Sequence, residues 1–206
     1  TADYHFLKRR GEMQWISRLT HALERDQFVL YGQPIAVNDD TRTIAKVEIL
    51  LRLRDQEGSI ISPADFIPAA EKYNLMPAID RWVIRRVLSL LPPKGEPRDV
   101  HRVAINLSGS SVADESLLDF IVTELEESGA DPNLITLEIT ETAAIENLSR
   151  ATEFITRLRA EGVSFALDDF GNGFSSFAYL KTLPVDFLKI DGSFVKDMNE
   201  DPIDHA

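Results

Sequence analysis

Five short apolar runs, VEILLR, VAINLS, ITLEITE, FALDDFG and FLKID, each carry near the C-terminal end a side chain able to act as a ligand or base. No other feature limits the fold of this chain so tightly. An ionised carboxylate or ammonium inside a buried strand costs several kcal/mol unless it meets a metal ion or an opposite charge. Chance scatter therefore rarely places Glu48, Asn106, Glu138, Asp168, Asp169 and Lys189 at such positions. Taken singly, each has a plainer reading: a carboxylate as a loop cap or surface ion pair, Asn106 as a turn cap, Lys189 as a chain that snorkels to solvent. Five coincident strand ends argue against that reading. They describe the mouth of a barrel of parallel strands, where side chains from different strands converge.

The rest of the pattern agrees. Tyr4 to Asp26 has apolar residues at helical spacing and reads as an amphipathic lead-in helix, residues 1–26, ahead of a domain spanning 27–206. Phe28–Val37 and Ile44–Leu53 read as a hairpin, so the first strand is antiparallel to the second. Ser62-Pro63 opens a helix that runs to Tyr73, and a second helix covers Pro77 to Leu91. After the breakers of PPKGEPRD, strand and helix alternate. The strands are Val100–Leu107, Leu134–Thr140, Val163–Leu167 and Val185–Ile190; the helices are Ser111–Ser128, Asn147–Glu161 and one near Phe174–Thr182. Such alternation predicts an α/β fold with a parallel sheet. An open doubly wound sheet would want a glycine-rich phosphate loop after its first strand, whereas Gly171-Asn172-Gly173 comes late and follows paired aspartates. A closed barrel is the expectation, with about six of the eight strands such a barrel needs.

Composition narrows the chemistry. The chain has no cysteine, which excludes disulfides, thiolate zinc sites and cysteine nucleophiles and fits a cytoplasmic location. Its net charge of −12 disfavours binding to a nucleic acid polymer or an anionic membrane. No run approaches the roughly 18 apolar residues of a membrane span. His5, His21, His101 and His205 stand beside no ligand cluster, and Trp15 and Trp82 read as packing residues.

Glu48, Asn106, Glu138 and Asp168 offer only oxygen donors, the set preferred by hard cations such as Mg²⁺ or Mn²⁺. Adjacent Asp168 and Asp169, on opposite sides of an extended backbone, can serve two metals, the usual device for displacement at phosphorus. Lys189 on the next strand can orient water or neutralise developing charge.

The EILLR of Glu48–Arg52, the INLS around Asn106, the LEITE of Leu137–Glu141, the DDFGNGFSS of Asp168–Ser176 and the LKID around Lys189 together resemble the EAL domain family, in order and spacing, from Gln27 onward. The signature triplet reads Glu-Ile-Leu here, a change at an apolar position. The resemblance implies a TIM-like (β/α)8 barrel that hydrolyses cyclic di-GMP to linear pGpG with a two-metal site of Mg²⁺ or Mn²⁺. It implies Glu48, Asn106, Glu138 and Asp168 as ligands of one metal and Asp169 as serving a second. By the same resemblance Lys189 and Glu48 are expected to be the catalytic residues, with Lys189 positioning the water, Arg52 to contact a phosphate and Gln33 a guanine. The resemblance also implies that Glu141 anchors the loop Asp169–Ser176, which bends at Gly171 and Gly173 and in the family links metal binding to a homodimer interface. The lead-in helix resembles the connector to an upstream regulatory or GGDEF domain of a bacterial signalling protein, which can itself be membrane-anchored. The family's later AEGVE-like and QGY-like strands are absent from this sequence. A polypeptide ending at Ala206 is therefore expected to be inactive and a longer one active. A non-catalytic cyclic di-GMP receptor of the same fold is the alternative; a glycosidase barrel accounts for Glu48 and Glu138 but not for Asn106, the paired aspartates or Lys189.

Overall fold

The computed structural model describes residues 14–38, 44–96, 102–171 and 178–196. Its β-branched and apolar runs form one mixed sheet. Strands β1 (Phe28–Ala36) and β2 (Ile44–Arg54) pair antiparallel, with Gln33 opposite Glu48 and Tyr31 opposite Leu50. The two-residue β3 (Ile60–Ile61) pairs antiparallel with the end of β2. Strands β4 (Arg102–Leu107), β5 (Ile135–Thr140), β6 (Ser164–Phe170) and β7 (Phe187–Ile190) then follow β2 in parallel. The order is β1-β2-β4-β5-β6-β7.

Alternate residues of a strand face opposite sides of the sheet. Val103, Ile105 and Leu107 of β4, Ile135, Leu137 and Ile139 of β5, and Phe165 and Leu167 of β6 all enter the hydrophobic core. Their alternates, Ala104, Asn106, Thr136, Glu138, Ala166 and Asp168, therefore line the other face. That face is concave. β2 and β7 lie at distant places in the strand order, yet Lys46 Nζ of β2 sits 4.1 Å from the ring centre of Phe187 on β7, and Lys189 Nζ of β7 is 3.3 Å from Glu48 of β2. Only a sheet that curls around a lumen brings these side chains together.

Helices cover the outer face. A helix α1 (14–24) packs fully buried Leu19 and Ala22 into the core, with Trp15 and Leu23 beside them, so this stretch docks on the domain. α2 (Pro63–Lys72) starts at Ser62-Pro63 as the sequence predicts, although the Ser62 side chain makes no capping bond. α3 (Met76–Leu88) buries Ile79, Val83 and Val87, and its Trp82 packs 5.5 Å from Phe28, which in turn lies 6.0 Å from Phe66. Both tryptophans are packing residues. Behind β6, Phe154 and Phe165 meet edge-on at 6.0 Å.

Four local expectations need correction. The single helix predicted over Ser111–Ser128 is two, α4 (Gly109–Val112) and α5 (Glu115–Ser128). The break is imposed by Asp114, which accepts from Ser116 N at 2.9 Å as the N-cap of α5. A short α6 (Glu141–Glu146), capped by Thr140, precedes α7 (Leu148–Ala160), because Asn147 leaves the helical region and caps α7 instead. β6 continues past Leu167 through both aspartates. Of the helix expected near Phe174–Thr182, residues 172–177 lie outside the described residues, and Tyr179–Lys181 form a 3-10 turn. The chain also forms α8 (Gly192–Lys196) after β7. Among the described residues no helix is long and apolar enough to cross a membrane.

Candidate active site

Lys189 sits at the centre of the polar face. Its ammonium donates to Glu138 Oε2, to Asp168 Oδ2 at 3.0 Å and to Glu48 Oε2 at 3.3 Å. Asn106 Nδ2 donates to the other oxygen of Glu48 at 2.9 Å. Five strands thus deliver five side chains to one cluster. The parallel register brings this about: Asn106 lies beside Glu138, and Thr140 beside Asp168, so successive strands present their polar positions at stepped heights on one face.

The electrostatics follow from burial. Glu138 is 1% exposed, and desolvation raises its pKa above the ordinary carboxylate value, with Lys189 pulling it back and Glu48 and Asp168 pushing it further up. Desolvation acts on Lys189 to lower its pKa, but its bonds to Glu138 and Asp168 prevail and hold it above the ordinary lysine value. It is therefore an ammonium, a donor and not a base. Among the described residues no set of three acidic or imidazole side chains closes on a common point in metal-holding geometry; the Lys189 cation stands among the carboxylates. The donor set nevertheless suits a hard divalent cation. Its ligating atoms are all oxygens, and Glu138 Oε1 is buried with no hydrogen-bond partner, an acceptor with capacity to spare.

Asp169 departs from the sequence reading. It has φ 54°, in the left-handed region, and β6 bulges there, so that Asp168 and Asp169 oppose the single residue Lys189 between the pairs Leu167–Leu188 and Phe170–Ile190. The two aspartates are not successive residues of a regularly extended backbone, as the sequence reading has them. The bulge re-aims them. Burial raises the Asp169 carboxyl pKa, and Asp168 and Asp191 add to the effect.

Glu141, first residue of α6 and 2% exposed, accepts from Gly171 N at 2.9 Å and from the Tyr179 hydroxyl. Gly171 has φ 99°, and a Cβ on it would lie 2.8 Å from Phe194, so conformation and space both demand glycine. Gly173 lies outside the described residues. On the other flank, Gln33 is exposed opposite Glu48, and Arg52 donates to its neighbour's carbonyl, Leu51 O, at 2.8 Å. The Arg52 guanidinium also rests 5.5 Å from the ring centre of Tyr31, a residue the sequence reading passed over. Tyr31 is two residues from Gln33, and strand alternation was the signal for it. Nothing local marks Tyr179, which reaches Glu141 from 38 positions away.

The EAL domain family matches residues 16–206. The chain belongs to that family. This EAL domain is 40% identical over 204 residues to the cyclic di-GMP phosphodiesterase PdeB of Shewanella oneidensis, covering 99% of this chain but 24% of that protein. The chain thus spans about a quarter of the length of the curated relatives it matches. Among solved structures, the PaMucR phosphodiesterase in complex with c-di-GMP aligns with a TM-score of 0.82 and 34% identity over 93% of this chain and 78% of that one. The FimX EAL domain from Pseudomonas aeruginosa bound to c-di-GMP aligns with a TM-score of 0.80 and 34% identity, over 90% and 74%. The fold of this EAL domain is accordingly α/β, of the TIM-like barrel type.

Proposed function

We propose that this EAL domain hydrolyses cyclic di-GMP to linear pGpG. The observation that carries the reading is the meeting of Glu48, Asn106, Glu138, Asp168 and Lys189 from five strands at one point of the lumen. Glu48, Asn106, Glu138 and Asp168 would hold one Mg²⁺ or Mn²⁺ and Asp169 would serve a second, and the ions would supply Lewis-acid polarisation of the phosphodiester and activation of water. The chain's own groups do the rest. Lys189 positions the attacking water or donates to a phosphoryl oxygen as negative charge builds there; the new P–O bond forms, the bond to the ribose 3′-oxygen breaks, and the proton given up by the water ends on that oxygen. Arg52 offers its fork to a phosphate, a geometry that guanidinium suits. Gln33, on the same strand face as Glu48, meets a guanine edge.

The direct test is to incubate the polypeptide carrying this chain with cyclic di-GMP and Mg²⁺ or Mn²⁺ and to chromatograph the products. Release of pGpG that chelation abolishes supports the reading; binding without turnover assigns the domain instead as a receptor. Lys189 brings one positive charge to three carboxylates, so the site keeps a net negative charge that a divalent cation would offset, which favours turnover over the receptor reading.

In this proposal the segment ahead of residue 27 leads to an upstream regulatory or GGDEF domain, with α1 packed against residues 27–206, and the EAL domain works in the cytoplasm as a homodimer. Glu141 ties the segment after β6 to α6. Glu141→Ala is expected to weaken the Mg²⁺ dependence of hydrolysis and the dimer together, because Gly171 N and the Tyr179 hydroxyl lose their shared acceptor. Metal titration and sedimentation check this; if both are unchanged, the anchoring role is wrong.

A further inference from the structure

α3 holds a carboxylate that the phosphodiesterase reading leaves unused. Asp80 is 4% exposed, and its Oδ2 accepts three hydrogen bonds: from Ser108 N at 3.0 Å, Ser108 Oγ at 2.7 Å and Ser111 Oγ at 2.6 Å. All three donors are neutral. A buried carboxylate stabilised by neutral donors alone is costly, and burial raises the Asp80 pKa against the pull of those bonds. Charge-assisted bonds are about twice as strong as neutral ones, so an aspartate grips Ser108 harder than a serine or asparagine would.

Ser108 is the point that fixes the end of β4. It is the N-cap of α4, its Oγ also accepts from Ser111 N at 3.2 Å, and it follows Asn106 by two residues. From there Asn106 reaches across to Glu48 Oε1 at 2.9 Å. With its backbone N–H and its hydroxyl both bonded to Asp80, Ser108 is held where β4 ends, two residues past Asn106. α3 is itself buried through Ile79, Val83 and Val87, so the grip comes from a rigid element.

We infer that Asp80 is a positioning residue for Asn106, setting its side chain toward the metal-binding carboxylates through Ser108. The inference rests on the reading of Asn106 as a metal ligand. Neighbouring Arg81 provides an internal control, since it donates to Asp114 Oδ2 at 2.8 Å and to Ser116 Oγ at 2.7 Å and so clamps the start of α5, farther along the chain from Asn106.

The test is Mn²⁺ titration of the polypeptide, followed by the spin signal of free Mn²⁺ without substrate, with melting curves on the same samples in chelator. Asp80→Asn is expected to weaken Mn²⁺ binding by about 10–100-fold, the range for groups that orient a metal ligand. Arg81→Ala should lower the melting temperature and leave Mn²⁺ affinity unchanged. Asp80→Asn that lowers the melting temperature alone would make Asp80 a structural cap and overturn the inference. Should Asp80→Asn fail to fold, Ser108→Ala decides by the same criterion, with a smaller loss of affinity expected and an unchanged one overturning the inference. Asn106→Ala separates the two levels: unchanged Mn²⁺ affinity there removes Asn106 from the ligand set, whereas a loss there with none in Asp80→Asn removes only the positioning role.

Discussion

Lys189→Ala is expected to lower kcat for cyclic di-GMP hydrolysis by about 10²–10⁴-fold with KM little changed, the range for a positioned proton-transfer or charge-stabilising group. The ammonium is the hub of the site, with Glu138, Asp168 and Glu48 all in reach. Removing it also leaves buried Glu138 beside two further carboxylates with no ion-paired cation, only the longer-range pull of Lys46. Breaking a buried pair by deleting one partner costs about 3–5 kcal/mol, less here because Glu48 and Asp168 keep some contact with solvent. The variant should therefore melt lower than the parent in chelator and recover part of the difference in Mg²⁺, since a ligand that binds only the folded state stabilises it. Steady-state kinetics of pGpG release and paired melting curves read both effects. A change confined to KM would mean that the lysine only grips a phosphate.

Glu48→Ala should reduce hydrolysis to the background rate while leaving metal-free or calcium-supported nucleotide binding partly intact. Glu48 supplies anionic oxygen to the site and is the acceptor that orients Asn106, so its loss removes one ligand and loosens a second. Outer partners of metal sites cost about 10–100-fold in affinity, and a ligand costs at least as much. Isothermal titration with cyclic di-GMP, with and without Mg²⁺, separates binding from turnover. Hydrolysis near the wild-type rate would withdraw Glu48 from the ligand set.

The strands were legible because a buried parallel strand must be apolar on both faces, and any polar group within one stands out. ITLEIT shows this best: Glu138 interrupts a run that is buried from Ile135 through Ile139, and β5 emerges at Ile135–Thr140 against an expected Leu134–Thr140. β6 was cut short at Leu167 by the same logic, since two aspartates in succession look like the end of a strand. Helix boundaries failed where a side chain competes with the backbone. Asp114 caps a new helix inside what hydrophobic spacing reads as one, whereas the helix expected from Asn147 does start there and the miss is the short α6 ahead of it, capped by Thr140.

Sequence by itself determined that Glu48, Asn106, Glu138, Asp168 and Lys189 interrupt apolar strands of a largely parallel sheet, because the cost of buried charge acts within each segment; that β2 runs on past Glu48 to Arg54 puts this glutamate mid-strand and not at a strand end. Tertiary structure alone decided that Lys189 is the counter-ion of three carboxylates, one of them 141 residues away, that a bulge turns Asp169 into the left-handed region, and that Asp80 grips Ser108. Those outcomes depend on how far the sheet curls and at what register each strand meets the next. Both are set by packing between segments distant in sequence, which no local pattern of residues records.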